Sequence, residues 1–197
     1  QYKTLICKAY NSPEGLLLND FYATNDLFVH SIISSITLPQ SMVQLLVSPM
    51  LLPPGTDLYT RKYDPFIDME GIRINSVRCS KIVDASQLDT DISNNQVPQF
   101  AYYVPNQIDD GHDTSFNYSM TWFQSWFDAR RNNPSFTMNT LFIIVWACGV
   151  SNNHVPCILY GSPVNPPSNH QDNTNYSTYS IMSTAEVNWN LGSCKKN

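Results

Sequence analysis

The stretch DDGHD, residues 109–113, places three carboxylates and one imidazole within five residues of the chain. Carboxylate oxygens and imidazole nitrogens together suit divalent metals such as zinc, manganese or iron more than calcium. A second interpretation is equally open, because such residues are also common where a helix begins. In that case Asp113 or Ser115 caps the first amides of the following helix, and the other acids are solvated.

The residues on either side show how the chain positions this cluster. Residues 98–104 are rich in aromatic and β-favouring side chains, which predicts a strand. From Ser115 onward a helical stripe of apolar side chains predicts a helix over residues 115–130: Phe116, Met120, Phe123 and Phe127. The cluster therefore lies on a strand-to-helix turn, where ligands bind in open α/β sheets.

A second strand is predicted over residues 140–147, which read TLFIIVWA. A continuous apolar strand is buried on both faces, as is typical of parallel strands covered by helices. Strand, helix and strand then form a right-handed βαβ unit. The sequence predicts an α/β fold with a mostly parallel sheet and flanking helices, and a further strand over residues 155–160.

The remaining segments carry weaker signals, and a chain of 197 residues suits one domain spanning residues 1–197. We expect a short helix beginning at Ser86 and capped by Asp84. Short helices are also predicted over residues 26–35 and 40–47, a long loop over residues 161–180, and a short helical or irregular segment over residues 183–191.

Composition excludes some functions and favours others. The formal net charge is −5 and the eleven Lys and Arg residues are scattered, which argues against a nucleic-acid partner. Prolines interrupt the longest apolar tract, so no membrane span is predicted. Two Asn-x-Ser sequons, at Asn117 and Asn175, suit a secreted, glycosylated protein, although a chain rich in Asn and Ser carries such sequons by chance. A chain beginning at Gln1 fits a mature protein without its signal segment, and fits a cytosolic chain almost as well.

The five cysteines permit at most two internal disulfides, and their spacing matches no zinc finger. Cys148 has three possible roles: a buried structural thiol, a disulfide partner of Cys157, or a nucleophile with His112 as its base. The first two are the simpler interpretations. Trp122 and Trp126 adjoin the apolar stripe of the predicted helix, so we expect them to pack in the core rather than to stack on carbohydrate.

Four segments in sequence order resemble the fungal secreted acid phosphatases of the phosphoesterase family, within the alkaline-phosphatase-like superfamily. They are YTRKYDPF at 59–66, VPQFAYYVPNQIDDGHDTSFNYSMTWFQSWF at 97–127, MNTLFIIVW at 138–146 and STAEVNWNLGS at 183–193. The resemblance covers residues 57–193, whereas residues 1–56 match poorly. It implies an alkaline-phosphatase-like α/β core, here shortened, and hydrolysis of phosphate esters at a bound metal with a Ser or Thr nucleophile.

Carried over by resemblance, His112 would be a metal ligand and Asp110 its close support, with Asp109, Asp113 and Cys148 as further candidates. Other family positions are altered. Ala147 and Cys148 stand where the family has a carboxylate pair, and Thr178 stands where it commonly has a His. The nucleophile segment is at best echoed around Ser12. The resemblance therefore implies a depleted site.

Three functions follow from these residues. The first is a secreted binding, effector or toxin-like protein that has lost hydrolysis, holds no metal and binds an unknown surface ligand or glycan. The second is an acid phosphatase using a divalent metal, active only if missing ligands come from another chain or a longer precursor. The third is an enzyme with Cys148 as nucleophile. His154 and His170 are expected in solvated loops, where either could replace a lost ligand.

Overall fold

The computed structural model of the protein describes residues 15–22, 43–47, 66–67, 69–146, 152–190 and 192. Within these residues lie seven strands: β1 Gly15–Tyr22, β2 Val43–Val47, β3 Ile82–Asp84, β4 Phe100–Val104, β5 Phe142–Val145, β6 Cys157–Tyr160 and β7 Gln171–Ser177. The same residues contain six helices: α1 Glu70–Arg73, α2 Ser76–Cys79, α3 Gln87–Ser93, α4 Phe116–Asp128, α5 Pro134–Thr137 and α6 Thr178–Trp189. In this part of the chain no helix is long and apolar enough to cross a membrane.

The strands form two sheets. The smaller sheet has the order β3-β2-β4, and both of its strand pairs are parallel. The larger sheet has the order β5-β6-β1-β7, in which β1 pairs with β7 in parallel while β6 is antiparallel to both β1 and β5. The chain thus has an α/β fold in which parallel and antiparallel pairs are mixed.

Helices cover both faces of the larger sheet at β5. On one face Ile144 packs with Phe123 and Met120 of α4 in a buried cluster. Val145, the next residue, belongs to a separate buried cluster against which Ile181 of α6 packs. Successive side chains of a strand point to opposite faces, so α4 and α6 lie on opposite sides of this strand.

Several predicted elements are confirmed. The strands predicted over 98–104, 140–147 and 155–160 correspond to β4, β5 and β6, and the helix predicted over 115–130 is α4. Helix α3 begins next to Ser86, whose backbone N–H donates to Asp84 Oδ1 at 2.9 Å. Trp126 is half-buried and packs against the core, with its ring centroid 4.8 Å from that of Tyr103 and 6.0 Å from that of Phe136.

The predicted βαβ unit is wrong. Strands β4 and β5 belong to different sheets, and β5 pairs with β6 in antiparallel register. Burial on both faces of β5 was predicted correctly, because helices do cover both faces. Any strand that lies between helices is apolar on both faces, whether its neighbours are parallel or antiparallel. The apolar sequence of β5 therefore does not determine the direction of its pairing.

Two further predictions are corrected by the structure. Residues Val43–Val47, assigned to a helix over 40–47, form β2, the middle strand of the smaller sheet. A short apolar run has no distinctive period, so its strand neighbours decide its conformation. The loop predicted over 161–180 contains β7, and α6 begins at Thr178, five residues before the predicted segment. The helix predicted over 26–35 lies outside the described residues.

Candidate functional site

The cluster predicted from the sequence lies on residues 105–115, which join the end of β4 to the start of α4; we call this segment the 105–115 turn. Its entry is buried, since Pro105 and Asn106 directly follow the last residue of β4 and are both shielded from solvent. Its exit leads into the longest described helix, which packs on the larger sheet. The turn therefore joins the smaller sheet to a helix that packs on the larger sheet.

Ser115 is the residue that caps helix α4. Its backbone is extended, and its side-chain oxygen accepts a hydrogen bond from the Tyr118 backbone N–H at 3.2 Å. This geometry satisfies one of the amides that a helix leaves unpaired at its start. The capping prediction is confirmed for Ser115. For Asp113 it is wrong, because the carboxylate of Asp113 lies against the His112 ring.

Asp110 is turned into the protein. Only 2% of its surface is exposed, and its Oδ1 accepts a hydrogen bond from the His112 backbone N–H at 2.6 Å. Its own backbone N–H donates to the Asn106 carbonyl at 2.9 Å. A buried carboxylate must be compensated by hydrogen bonds. Asp110 therefore links the buried entry of the turn to the backbone of His112.

His112 and Asp113 form a pair at the surface. The Nδ1 atom of His112 lies 2.5 Å from Oδ1 of Asp113, with 39% of the His112 side chain and 49% of the Asp113 side chain exposed. A carboxylate on Nδ1 fixes the ring and makes Nε2 the nitrogen through which a metal or a proton could bind. The donor types of Asp110, His112 and Asp113 fit a divalent metal of the zinc or manganese type.

Asn106 is a feature of the turn that the sequence analysis missed. Its side-chain Oδ1 accepts hydrogen bonds from the backbone N–H groups of Ile108, at 2.9 Å, and Asp109, at 2.8 Å. Its Nδ2 donates to Asp109 Oδ2 at 2.7 Å. An Asn whose side chain binds the backbone two residues later forms an Asx turn. A Pro-Asn pair directly after a predicted strand was the available signal.

Gly111 allows the turn to lie close to helix α4. Its φ of +83° is in the left-handed region, and a Cβ built on it would lie 3.2 Å from the Ser119 Cβ. Ser119 is fully buried, and its Oγ has no hydrogen-bond partner in the described part of the chain. A small residue is therefore needed on both sides of this contact.

The environment of Asp109 raises the pKa of its carboxyl above the ordinary value. Burial is the main cause; the hydrogen bond from Asn106 acts in the opposite direction, and the charge of Asp110 reinforces the rise. A folded-state pKa above the unfolded value means that stability falls as pH rises through the interval between the two values, and stays lower above it.

We expect Asp109→Asn to remove this penalty. The melting temperature of the variant minus that of the wild type should increase between pH 4 and pH 7, which thermal unfolding followed by circular dichroism can measure. Asp172→Asn is a control of opposite sign, because hydrogen bonds from the Thr174 side chain, the Thr174 backbone and Tyr176 lower the pKa of Asp172. A difference for Asp109→Asn that stays constant with pH would contradict the assignment.

The other candidate ligands lie in later segments of the chain. Considering only the residues that the structure describes, no group of three or more His, Cys, Asp and Glu side chains is arranged to hold a metal ion. His154 is exposed at an isolated bridge, and His170 is half-buried immediately before β7. Thr178 is the buried first residue of α6. Ser12, Ala147 and Cys148 lie outside the described residues.

Of the three roles considered for Cys148, the bridge to Cys157 is contradicted, because Cys157 carries a free thiol. Cys157 lies within β6 with 0% of its surface exposed, packed in the cluster with Val145 and Val155. Burial raises the pKa of this thiol to about 12. It therefore acts as a small apolar core residue. The two sequon residues, Asn117 in α4 and Asn175 in β7, are both exposed.

Comparisons with known proteins place these features in context. A family model described as the phosphoesterase family matches residues 35–147. The chain is 30% identical to an acid phosphatase of Aspergillus fumigatus over 139 residues, covering 68% of this chain and 31% of that protein. It is 28% identical to a probable acid phosphatase of Kluyveromyces lactis over 137 residues, covering 68% and 32% respectively.

A more distant relative is a phosphatidylinositol-3-phosphatase of Mycobacterium tuberculosis, which is 27% identical over 135 residues, covering 68% of this chain and 42% of that protein. No solved structure matches the chain significantly. The chain spans about a third of the length of the acid phosphatases that it matches.

Proposed function

Because the chain belongs to the phosphoesterase family, we propose that it is a phosphoesterase-scaffold protein that has lost phosphate-ester hydrolysis. In this proposal Asp110 and His112 are the remaining part of a divalent-metal site, and they bind a cation weakly at most. The two sheets with helices α4 and α6 would be a shortened alkaline-phosphatase-like core. The family match and the α/β architecture support this assignment.

The proposal rests on the observation that the residues of the cluster are held by hydrogen bonds within the turn. Asp110 is buried and holds the His112 backbone, Asp109 is bound by Asn106, and His112 is bound by Asp113. Ser115 then begins helix α4. These contacts give the turn a folding role that does not require a metal. A bound divalent cation would supply charge neutralisation of phosphoryl oxygens, and His112 with Asp110 or Asp113 would hold it.

The present activity of such a scaffold would be binding rather than catalysis. We place the protein outside the cell, as a secreted binding, effector or toxin-like protein that recognises a surface ligand or a glycan. The exposed sequon residues Asn117 and Asn175 support this location, since both amides are accessible for glycosylation.

A second candidate is a metal-dependent phosphoesterase in which this chain supplies only some of the ligands. It is favoured because the chain spans about a third of the length of the acid phosphatases that it matches. The remaining ligands would come from a longer precursor or from another chain. An intact mass larger than that of the 197 residues, or a second polypeptide that stays bound during purification, would support this candidate.

Metal analysis and hydrolysis of an aryl phosphate by the purified protein test the first proposal. We expect substoichiometric metal after dialysis and no phosphate release above that of His112→Ala. His154→Ala is the control, because His154 is an exposed histidine outside the turn. Stoichiometric metal with turnover that disappears in His112→Ala and persists in His154→Ala would overturn the loss of hydrolysis.

A further inference from the structure

The tripeptide Asn-Tyr-Ser occurs at both sequons of the chain, over residues 117–119 and 175–177. The N-glycosylation sequon admits either Ser or Thr at its third position, so the transferase must recognise the hydroxyl group that these two residues share. Because the two tripeptides are identical, a difference between them as acceptors reflects the structure that surrounds each one.

The first copy lies in the first turns of helix α4. Successive residues of an α-helix are rotated by about 100°, so side chains two positions apart point to nearly opposite sides. Asn117 is accordingly exposed, whereas Ser119 is buried with 0% of its surface exposed. Ser119 lies directly against Gly111 of the 105–115 turn. An enzyme can therefore reach the Asn117 amide but not the hydroxyl that completes the sequon.

The second copy lies in strand β7, where side chains two positions apart point to the same face. Asn175 is exposed and Ser177, whose backbone is extended, is half-buried. Residues 175–177 pair regularly with residues 20–22 of β1, and among the described strands β7 is the last of its sheet. The amide and the hydroxyl of this sequon can therefore be approached together.

The two hydroxyls also differ in what must move to expose them. Ser177 begins α6 in a capping box with Ser180, whose Oγ accepts from the Ser177 backbone N–H at 3.3 Å. Such a cap opens when the end of a helix frays. Ser119, in contrast, directly precedes Met120, which is buried in the cluster that joins α4 to the larger sheet. Exposing Ser119 requires that part of α4 to leave the sheet.

We propose that Asn175 accepts an N-linked oligosaccharide in the folded protein, and that Asn117 accepts one only before α4 forms. In the transfer, the Asn175 side-chain nitrogen bonds to the anomeric carbon of an oligosaccharide carried on a lipid pyrophosphate. The bond from that carbon to the pyrophosphate oxygen breaks, the lipid pyrophosphate leaves with the electron pair, and the amide loses one proton. Exposure to such a donor rests on the proposed function, which places the protein outside the cell; the difference between the two sites does not.

Incubation of the purified, unglycosylated chain with an oligosaccharyltransferase and its lipid-linked donor tests the proposal. Mass spectrometry of proteolytic fragments measures the occupancy of each site. In the native protein we expect Asn175 to be modified at least about tenfold faster than Asn117, because Asn117 must wait for local unfolding of α4. Unfolded synthetic peptides of residues 112–122 and 170–180 are the matched controls, and their rates should agree within about threefold.

Two serine variants identify the modified site in the native protein. Ser177→Ala should abolish the modification, whereas Ser119→Ala should leave it unchanged, although each substitution removes one sequon. Ser119→Ala removes a hydroxyl that has no hydrogen-bond partner in the described part of the chain, so we expect it to fold normally. Circular dichroism verifies that both variants are folded.

Equal rates at the two sites of the native protein, or no modification of Asn175, would overturn the proposal. Failure of the 112–122 peptide to accept the oligosaccharide would show that folding of α4 is not what closes Asn117. Selective modification of Asn175 in vitro, with no oligosaccharide on the protein isolated from its own cells, would contradict secretion while supporting the difference between the two sites.

Discussion

Phe123→Ala is expected to lower the free energy of unfolding by about 3–5 kcal/mol, the range for removing a buried aromatic side chain from a well-packed core. Only 2% of Phe123 is exposed, and it shares a buried cluster with Met120, Ile144 and Ile158. Its ring also stacks near Phe127, with centroids 5.5 Å apart. The substitution therefore removes contacts within α4 and contacts between α4 and the larger sheet.

Urea unfolding monitored by tryptophan fluorescence and circular dichroism would measure this loss. Tyr118→Ala is the control, since it removes an aromatic ring from the same helix at a position that is 48% exposed. We expect the control to change stability by about 0.5 kcal/mol or less, as surface substitutions usually do. Equal losses for the two variants would show that the helix itself, rather than its packing on the sheet, determines stability.

Helix α4 shows how far an apolar stripe predicts packing. The stripe correctly placed Met120 and Phe123 in the core, but Phe116, at the exposed start of the helix, is not buried. Ser119 is buried instead, although it is polar, because it lies against Gly111 of the turn. Periodicity identifies the buried face of a helix. It does not show where an adjoining loop requires a small residue.

The partners of a strand are harder to predict than the strand itself. The sequence of β5 predicts an apolar strand covered on both sides, and the structure agrees. Its antiparallel pairing with β6 depends on contacts distant in sequence, which no local pattern encodes. Strand β7 was missed for another reason. It is a mostly exposed edge strand reading QDNTNYS, and it lacks the alternation of apolar side chains by which strands are identified.

The candidate site was predictable in part. Its place between a strand and a helix and the capping role of Ser115 followed from residue types and spacing. The burial of Asp110 and the hydrogen bonds of Asn106 did not, because the sequence does not distinguish a carboxylate facing solvent from one turned inward. The same ambiguity explains why Asp113 was considered as a cap, whereas its carboxylate binds His112.

Gly161→Ala is the second substitution expected to have a large effect, because it combines backbone strain with a steric clash where β6 ends. Gly161 has a φ of +123°, and a Cβ built on it would lie 2.0 Å from the carbonyl oxygen of Thr140, close to the start of β5. Relief of that clash requires the backbone at this end of the β5–β6 pair to separate. We expect a loss of about 2–4 kcal/mol from the strained φ and the overpacking together.

Gly192→Ala is the control that separates the effect of the positive φ from the effect of the steric clash. Gly192 also has a positive φ, +83°, but no atom of the described residues lies within 4 Å of a Cβ built there. Its substitution should therefore cost only the conformational term, about 1–2 kcal/mol at most. Chemical unfolding of both variants measures the two losses in the free energy of unfolding. Amide hydrogen exchange at Phe142 and Tyr160, which face each other across the pair, shows whether the strands separate at this end. If Gly161→Ala costs no more than Gly192→Ala, the close approach of Gly161 to Thr140 does not constrain the sheet. A larger cost, together with faster exchange at Phe142 and Tyr160, shows that this end of the β5–β6 pair can close only with a glycine at position 161.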